Sequence, residues 1–285
     1  MKSPEEKYAE AQGLCKFYNN NLLSLMALSK GYLWCSDSND FNDPFENNVN
    51  SYAINRDLFD TDAILMLLDK SSLELKDSDD IDSLDLKLFD ESVKRGIVDN
   101  FKETIIDQTL INIKESIDFH SDKKYVCLSM NVDAIHKSKL LWSHYSNGLR
   151  GFAIEFDVEM LLHSISEKNK DSMIGVWPIS YSDLGMSDYL IENIKSKDVS
   201  ELDANKIYLY KHTDWSYENE LRIISKVNEL QYSHSCVKKV YIGEKMPENY
   251  KELLVDILSS KGLIEKTYIA KVNREEFVID FSTFR

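Results

Sequence analysis

Glycine and proline are scarce in this chain, nine and four of 285 residues. A chain so poor in the residues that turn tightly or stiffen linkers has no Gly/Ser/Pro joint at which to divide. It reads as one domain, 1–285, with an internal insertion, and no repeat is visible. The same scarcity removes the phosphate-cradling loops: neither G-x-G-x-x-G nor G-x-x-x-x-G-K-S/T occurs. H-E-x-x-H and G-x-S-x-G are missing as well. Kinase, Rossmann dehydrogenase, zincin and α/β-hydrolase chemistry are thereby disfavoured.

Apolar residues make up 43 % of the chain and charged residues 29 %, which is ordinary globular usage. Net charge is −15. A chain this acidic gains nothing from counterion release on approaching a duplex, so bulk nucleic-acid binding is disfavoured. The local exception is a basic cluster of Lys123, Lys124, His136, Lys137 and Lys139. Cys15, Cys35, Cys127 and Cys236 are widely spaced with no CxxC pair, so reduced thiols are expected and a zinc site is not. No apolar run approaches the ~20 residues of a membrane span. The Met1-Lys2-Ser3-Pro4 start lacks a signal-peptide core. The expected location is the cytoplasm, without membrane attachment.

Short β-branched and aromatic runs alternate with irregularly placed helical patterns. Leu14–Tyr18, Tyr32–Ser36, Tyr125–Ser129, Gly151–Phe156, Val237–Ile242, Thr267–Val272 and Glu276–Phe281 read as strands, and Met173–Tyr181 as extended. Asn21–Lys30 reads as a helix stopped by Gly31. Further helices are expected at Lys137–Tyr145, from Val158, at Glu201–Lys211 and at Glu248–Ser259. Residues 56–119 carry two amphipathic patterns joined by an acidic run, Glu74–Glu91, and read as a helical, acidic insertion with a mobile connection. The sum is an α+β fold with a curved, mostly antiparallel sheet.

Three motifs carry candidate chemistry. Trp215-Ser216-Tyr217-Glu218-Asn219-Glu220-Leu221-Arg222 places Glu218, Glu220 and Arg222 at alternate positions. On a strand they share one face, with Leu221 and Ile223 on the other. Such a set can hold a ligand, run acid–base chemistry or neutralise itself. Trp215 and Tyr217 supply aromatic walls. Asn42-Asp43-Pro44-Phe45-Glu46 is a proline-stiffened turn whose Asn and Asp either cap their own backbone or line a pocket. Leu141-Trp142-Ser143-His144-Tyr145 leads to Glu155 in an apolar strand; His144 is a structural or a catalytic histidine.

In this order the motifs resemble a family of bacterial proteins catalogued as a domain of unknown function, over about residues 14–245. A more distant similarity is to ADP-ribosyltransferase folds, whose front end also runs strand, helix, glycine, and strand ending in serine. That resemblance implies an enzyme using NAD, and a toxin-like effector of bacterial conflict or phage defence. It implies Ser36, Glu218 and Glu220 as catalytic residues, with Lys16 or Tyr18 at the basic or aromatic position of the first strand.

The chemistry is coherent. Breaking the nicotinamide–ribose bond develops oxocarbenium charge that a carboxylate stabilises. A neighbouring carboxylate deprotonates the acceptor, a protein or a nucleic acid. Trp215 or Tyr18 can stack on the cationic ring, and Arg222 or Lys16 can hold the pyrophosphate. Asn42, Asp43 and His144 complete the candidate NAD-binding set. Two other readings fit the residues. One is a non-enzymatic module that senses a nucleotide or a phage protein. The other is a metal-dependent nuclease or phosphoesterase built on Asp43, Glu46, Glu155, Glu218 and Glu220, with Lys211 on phosphate.

Overall fold

A computed structural model describes residues 11–43, 45–46, 54–76, 91–120, 122–130, 132–195 and 208–284. It has mixed helices and strands with a large, mostly antiparallel sheet. The chain divides into two compact units. One comprises Met1–Phe41, Lys123–Tyr181 and Thr213–Arg285; the other comprises Asn42–Asp122 and Ser182–His212.

The first unit holds the nine-stranded sheet. Its strands are β1 (Leu14–Tyr18), β3 (Ser36–Asp37), β4 (Lys124–Ser129), β5 (Phe152–Phe156), β6 (Met173–Pro178), β9 (Glu220–Ser225), β11 (Val237–Gly243), β12 (Thr267–Asn273) and β13 (Val278–Thr283). They run in the order β13-β12-β11-β5-β1-β4-β9-β6, with β3 also paired to β4. Among the described residues only β11 and β12 pair in parallel. A separate ribbon joins β2 (Tyr32–Trp34) to β10 (Glu229–Gln231). The single strand expected over Tyr32–Ser36 is thus two short ones. They part at Cys35, whose amide donates to the Asn228 carbonyl at 2.7 Å.

Alternation sorts the sheet into two faces. Leu14, Ile154, Leu128, Leu221, Ile223, Val240 and Ile242 point one way into the larger core. That face is covered by α1 (Leu22–Lys30), α6 (Val158–Lys168) and α8 (Glu248–Ser260), through Leu28, Leu161, Ile165, Leu254 and Leu258. Each such side chain contributes about 1.5–3 kcal/mol by leaving water. The Asn21 side chain caps α1 by accepting from the Ser24 amide at 2.8 Å, and Gly31 ends it at φ +74°. Only glycine takes that left-handed conformation freely. The opposite face carries Cys15, Ala153, Tyr241 and Ala270 under α4 (Asp133–Lys137) and α5 (Lys139–Tyr145), which contribute Ile135 and Trp142.

The second unit contains α2 (Thr61–Lys76), α3 (Glu91–His120), α7 (Met186–Lys195) and β8 (Tyr210–His212). β7 (Ser180–Ser182) lies where the chain passes from one unit to the other. Arg56 bridges Glu103 and Asp107 of α3, each at 2.8 Å. The acidic run was expected as a mobile connection; its residues 77–90 lie outside the described residues, as does Pro44. The helix expected at Glu201–Lys211 is not found over its described part. Residues 208–209 form a short 3-10 turn leading into strand β8, with Tyr208, Leu209 and Tyr210 all buried. Three consecutive buried residues, two of them tyrosines, suit a strand and its approach better than one face of a helix. Among the described residues no helix is long and apolar enough to cross a membrane.

Candidate functional site

Glu220 and Arg222 enter β9 on the face that α4 and α5 cover. The registers Glu155↔Cys15, Cys15↔Ser129 and Ser129↔Glu220 set these residues in one row across β5, β1, β4 and β9. Cys127, Arg222 and Trp177 form the next row. Both faces of β9 are buried. Arg222 lies wholly inside, and its Nε donates to Glu220 Oε1 at 2.6 Å. The guanidinium carbon sits 4.6 Å from the Phe41 ring centre and 5.9 Å from that of Tyr125. A guanidinium this deep persists only with a carboxylate and polarisable rings around it. The Tyr181 hydroxyl accepts from the Glu220 amide at 2.9 Å.

Glu218 does not share that strand. Thr213–Glu218 is a 3-10 helix, Asn219 turns at φ +40°, and the strand begins only at Glu220. Asparagine tolerates this left-handed turn, and its carbonyl is fixed by the Met130 amide at 2.8 Å. The alternation read across Glu218, Glu220 and Arg222 therefore holds for the last two alone. Glu218 is instead drawn to α5, where the Tyr145 hydroxyl donates to its carboxylate. His144 Nδ1 lies 3.0 Å from the Tyr217 hydroxyl. The Trp215 and Tyr217 rings are 6.1 Å apart, and the exposed His144 ring packs 6.5 Å from Trp215. His144, Tyr145, Trp215, Tyr217 and the buried Glu218 thus form one carboxylate–aromatic cluster.

The end of α5 is held rigidly enough to place this cluster. Ser138 Oγ caps the helix by accepting from the Leu141 amide at 3.2 Å. Trp142 anchors it, donating through Nε1 to the Ile135 carbonyl at 2.7 Å and meeting Phe17 edge-on at 5.2 Å. The helix stops in three successive left-handed residues, Asn147, Gly148 and Leu149.

Lys16 and Tyr18 pair with Ile154 and Phe152 of β5, which puts them on the opposite sheet face from Glu220 and Arg222. β1 and β3 each pair with β4, at its Ser129 and Lys124 ends respectively. Between those ends the Lys16 ammonium donates to the Cys127 carbonyl at 3.1 Å. Burial pulls the Lys16 pKa below its ordinary value, against the opposing influence of Cys127, Cys35 and Glu220. The Tyr18 ring stacks on Phe152 at 4.8 Å, and burial pushes its phenol up. Ser36 pairs with Tyr125 and so shares the face of Arg222. It sits at the level four residues along β4 from Ser129, the partner of Glu220, which is a separation of about 13 Å along the strand.

Asn42 and Asp43 belong to the second unit. There Asp43 Oδ1 accepts from the Phe45 amide at 2.9 Å, a local turn closure. Also within that unit, Lys211 lies 3.4 Å from Glu46, both side chains buried. In the first unit Glu155 accepts from the Tyr241 hydroxyl at 2.9 Å, with Lys238 and Lys239 within 3.8 Å. Among the described residues no group of three or more His, Cys, Asp or Glu side chains is placed to hold a metal ion. Sequence reasoning missed the donor to Glu218, because nothing in Leu141–Tyr145 marks Tyr145 as facing a carboxylate seventy-three residues on.

A family model described as a protein of unknown function (DUF2971) matches residues 141–223. That interval takes in Leu141–Tyr145 of α5, Glu155 and Trp215–Arg222, and leaves out Leu14–Tyr18 and Asn42–Glu46. No curated protein and no solved structure matches the chain.

Proposed function

We propose that the chain is an ADP-ribosyltransferase-like enzyme with NAD as substrate and Glu218 as the carboxylate at the reacting ribose. The observation that carries this reading is the Tyr145-to-Glu218 hydrogen bond set among the rings of Trp215, Tyr217 and His144. A carboxylate that accepts from a tyrosine hydroxyl and is walled by aromatic faces suits a cationic ring leaving a ribose carbon. In the step, the nicotinamide C–N bond breaks with its electron pair going to the ring. The acceptor's nucleophile bonds the ribose carbon, and its proton passes to Glu218. Glu220, held by Arg222, would then fix the start of β9 and the backbone that presents Glu218. The resemblance to toxin-type transferases extends the proposal to an effector role in bacterial conflict or phage defence.

The test is nicotinamide release and transfer of labelled ADP-ribose in lysate, with the intact chain and with Glu218→Gln. The expected result is turnover by the intact chain and a loss of about 100-fold or more in the variant. Folded protein that neither consumes NAD nor transfers label overturns the proposal. NAD binding without consumption would replace it with the sensing-module reading.

A further inference from the structure

Helix α5 borders a second, separate feature. Its residues Lys139 and Trp142 line a cavity of about 460 Å³ that shares no residue with the Glu218 cluster. Trp142 and Ile279 supply apolar wall, and Phe277 adds an aromatic ring. Lys139, Lys245 and Arg274 are the charged residues of the lining, which includes no carboxylate. On a chain with 49 acidic and 34 basic residues, three cations and no acid around one cavity run against the composition. None of the three has a carboxylate partner among the described residues.

The ring is presented at a conformational cost. Phe277 sits at φ +54° and is 74 % exposed. An aromatic residue rarely adopts this backbone conformation, and it persists only where the surroundings enforce it. Here they do. The loop closes between Asn273 and Val278, which pair across β12 and β13. Asn273 Oδ1 accepts from the amides of Glu275 and Glu276, each at 3.1 Å, and its Nδ2 donates to Asp280 at 2.9 Å. The Lys139 ammonium lies 5.6 Å from the centre of the Phe277 ring. A strained, exposed ring beside cations that have no carboxylate partner among the described residues, and over an apolar cavity, is organised for a ligand that is planar at one end and anionic at the other.

We infer that this cavity binds a nucleoside diphosphate. The base lies against Phe277 and the apolar wall, and the diphosphate meets Lys139, Lys245 and Arg274. Ammonium and guanidinium groups supply the charge and the donors that phosphate oxygens require. The volume suits one nucleotide and is too small for a folded partner. This inference does not rest on the NAD reading.

The test is calorimetric titration of the full chain with ADP, adenosine and inorganic pyrophosphate. ADP is expected to bind, about tenfold or more tightly than either fragment, with affinity falling as salt rises. Lys245→Glu with Arg274→Glu should weaken ADP by about tenfold or more, and Phe277→Gly should weaken ADP while leaving pyrophosphate unchanged. Both cations and the ring are exposed, and unchanged circular dichroism confirms that each variant folds. Glu218→Gln should leave ADP binding intact, which separates this site from the proposed NAD site. The inference is overturned by absent ADP binding, by equal affinity in the charge-reversed variant, by pyrophosphate binding as tightly as ADP, or by loss of ADP binding in Glu218→Gln.

Discussion

Arg222 and Glu220 meet at 2.6 Å with both side chains withdrawn from water. Removing one partner takes the close counter-charge from a buried ion, which costs about 3–5 kcal/mol. Glu220→Gln and Arg222→Met should each lower the unfolding free energy, read from urea denaturation, by that order. The double variant should be more stable than the sum of the single losses predicts, because the two opposite charges leave together. Midpoints unchanged in both single variants would show that the pair contributes little and would return Glu220 to a purely chemical role.

Glu218 differs in accepting from a neutral hydroxyl, that of Tyr145. Tyr145→Phe takes a hydrogen-bond donor from a carboxylate that is 5 % exposed, and should destabilise by about 1–3 kcal/mol. Glu218→Gln keeps an acceptor oxygen for Tyr145 and should cost less. NAD turnover should fall in both, far more in Glu218→Gln. Equal loss of stability in the two variants, measured by urea denaturation, would mean that the charge at Glu218 is structural.

The strands and helices of the first unit were legible because their periodicity is strong. Leu14–Tyr18 is a short apolar and aromatic run, Leu22–Lys30 carries Asn21 and Gly31 at its ends, and Glu248–Ser260 repeats every three to four residues. The site was legible in composition and not in geometry. Glu220 and Arg222 sit on a strand whose two faces are both buried, and no polar residue in the sequence announces that. The Asn219 turn that pulls Glu218 off the strand is one residue's backbone angle. Lys16 looks like a ligand cation in sequence, yet β5 pairing assigns it to the face opposite Glu220. The Lys139–Lys245–Arg274 grouping spans three distant segments, so no local pattern could have shown it.

Buried thiols give the protein an alkaline limit. Cys35 and Cys236 are fully buried, and burial pushes each thiol up to about 12. A thiol whose folded pKa exceeds its unfolded value contributes stability that is complete below the unfolded value, near 9, and is lost as pH climbs towards 12. Buried Tyr18, Tyr232 and Tyr241, all pushed up, act in the same direction at higher pH. Lys16 is pulled down, so its contribution is present above its unfolded value of 10.5 and is lost as pH falls through the folded one. One lysine opposes several acids, and the urea midpoint should fall from pH 9 upward. Each thiol supplies at most about 1.4 kcal/mol per pH unit. Cys35→Ala with Cys236→Ala should flatten the fall, and an unchanged slope would exclude the thiols as its source.

Two glycines fix where α5 and its following loop lie on the sheet. A Cβ on Gly151 would stand 1.9 Å from the Tyr18 carbonyl oxygen, and one on Gly243 would stand 2.1 Å from that of Leu149. Both obstacles are backbone, so neither can rotate away. Gly151 also donates to the Ser146 carbonyl at 2.9 Å and accepts from the Gly243 amide at 3.0 Å, which ties the two positions into one junction. Gly151→Ala and Gly243→Ala should each cost about 3 kcal/mol or more, at the upper end of overpacking. Gly262→Ala, where nothing lies within 4 Å but φ is +67°, should cost about 1 kcal/mol. Because the junction sets the position of α5, the first two variants should also weaken NAD turnover and ADP binding in whatever folded protein remains. The Gly262 variant should change neither. Thermal melts of the three, read beside both ligand assays, check the ordering; a Gly151 variant as stable as the Gly262 variant would mean that α5 is not anchored through this contact.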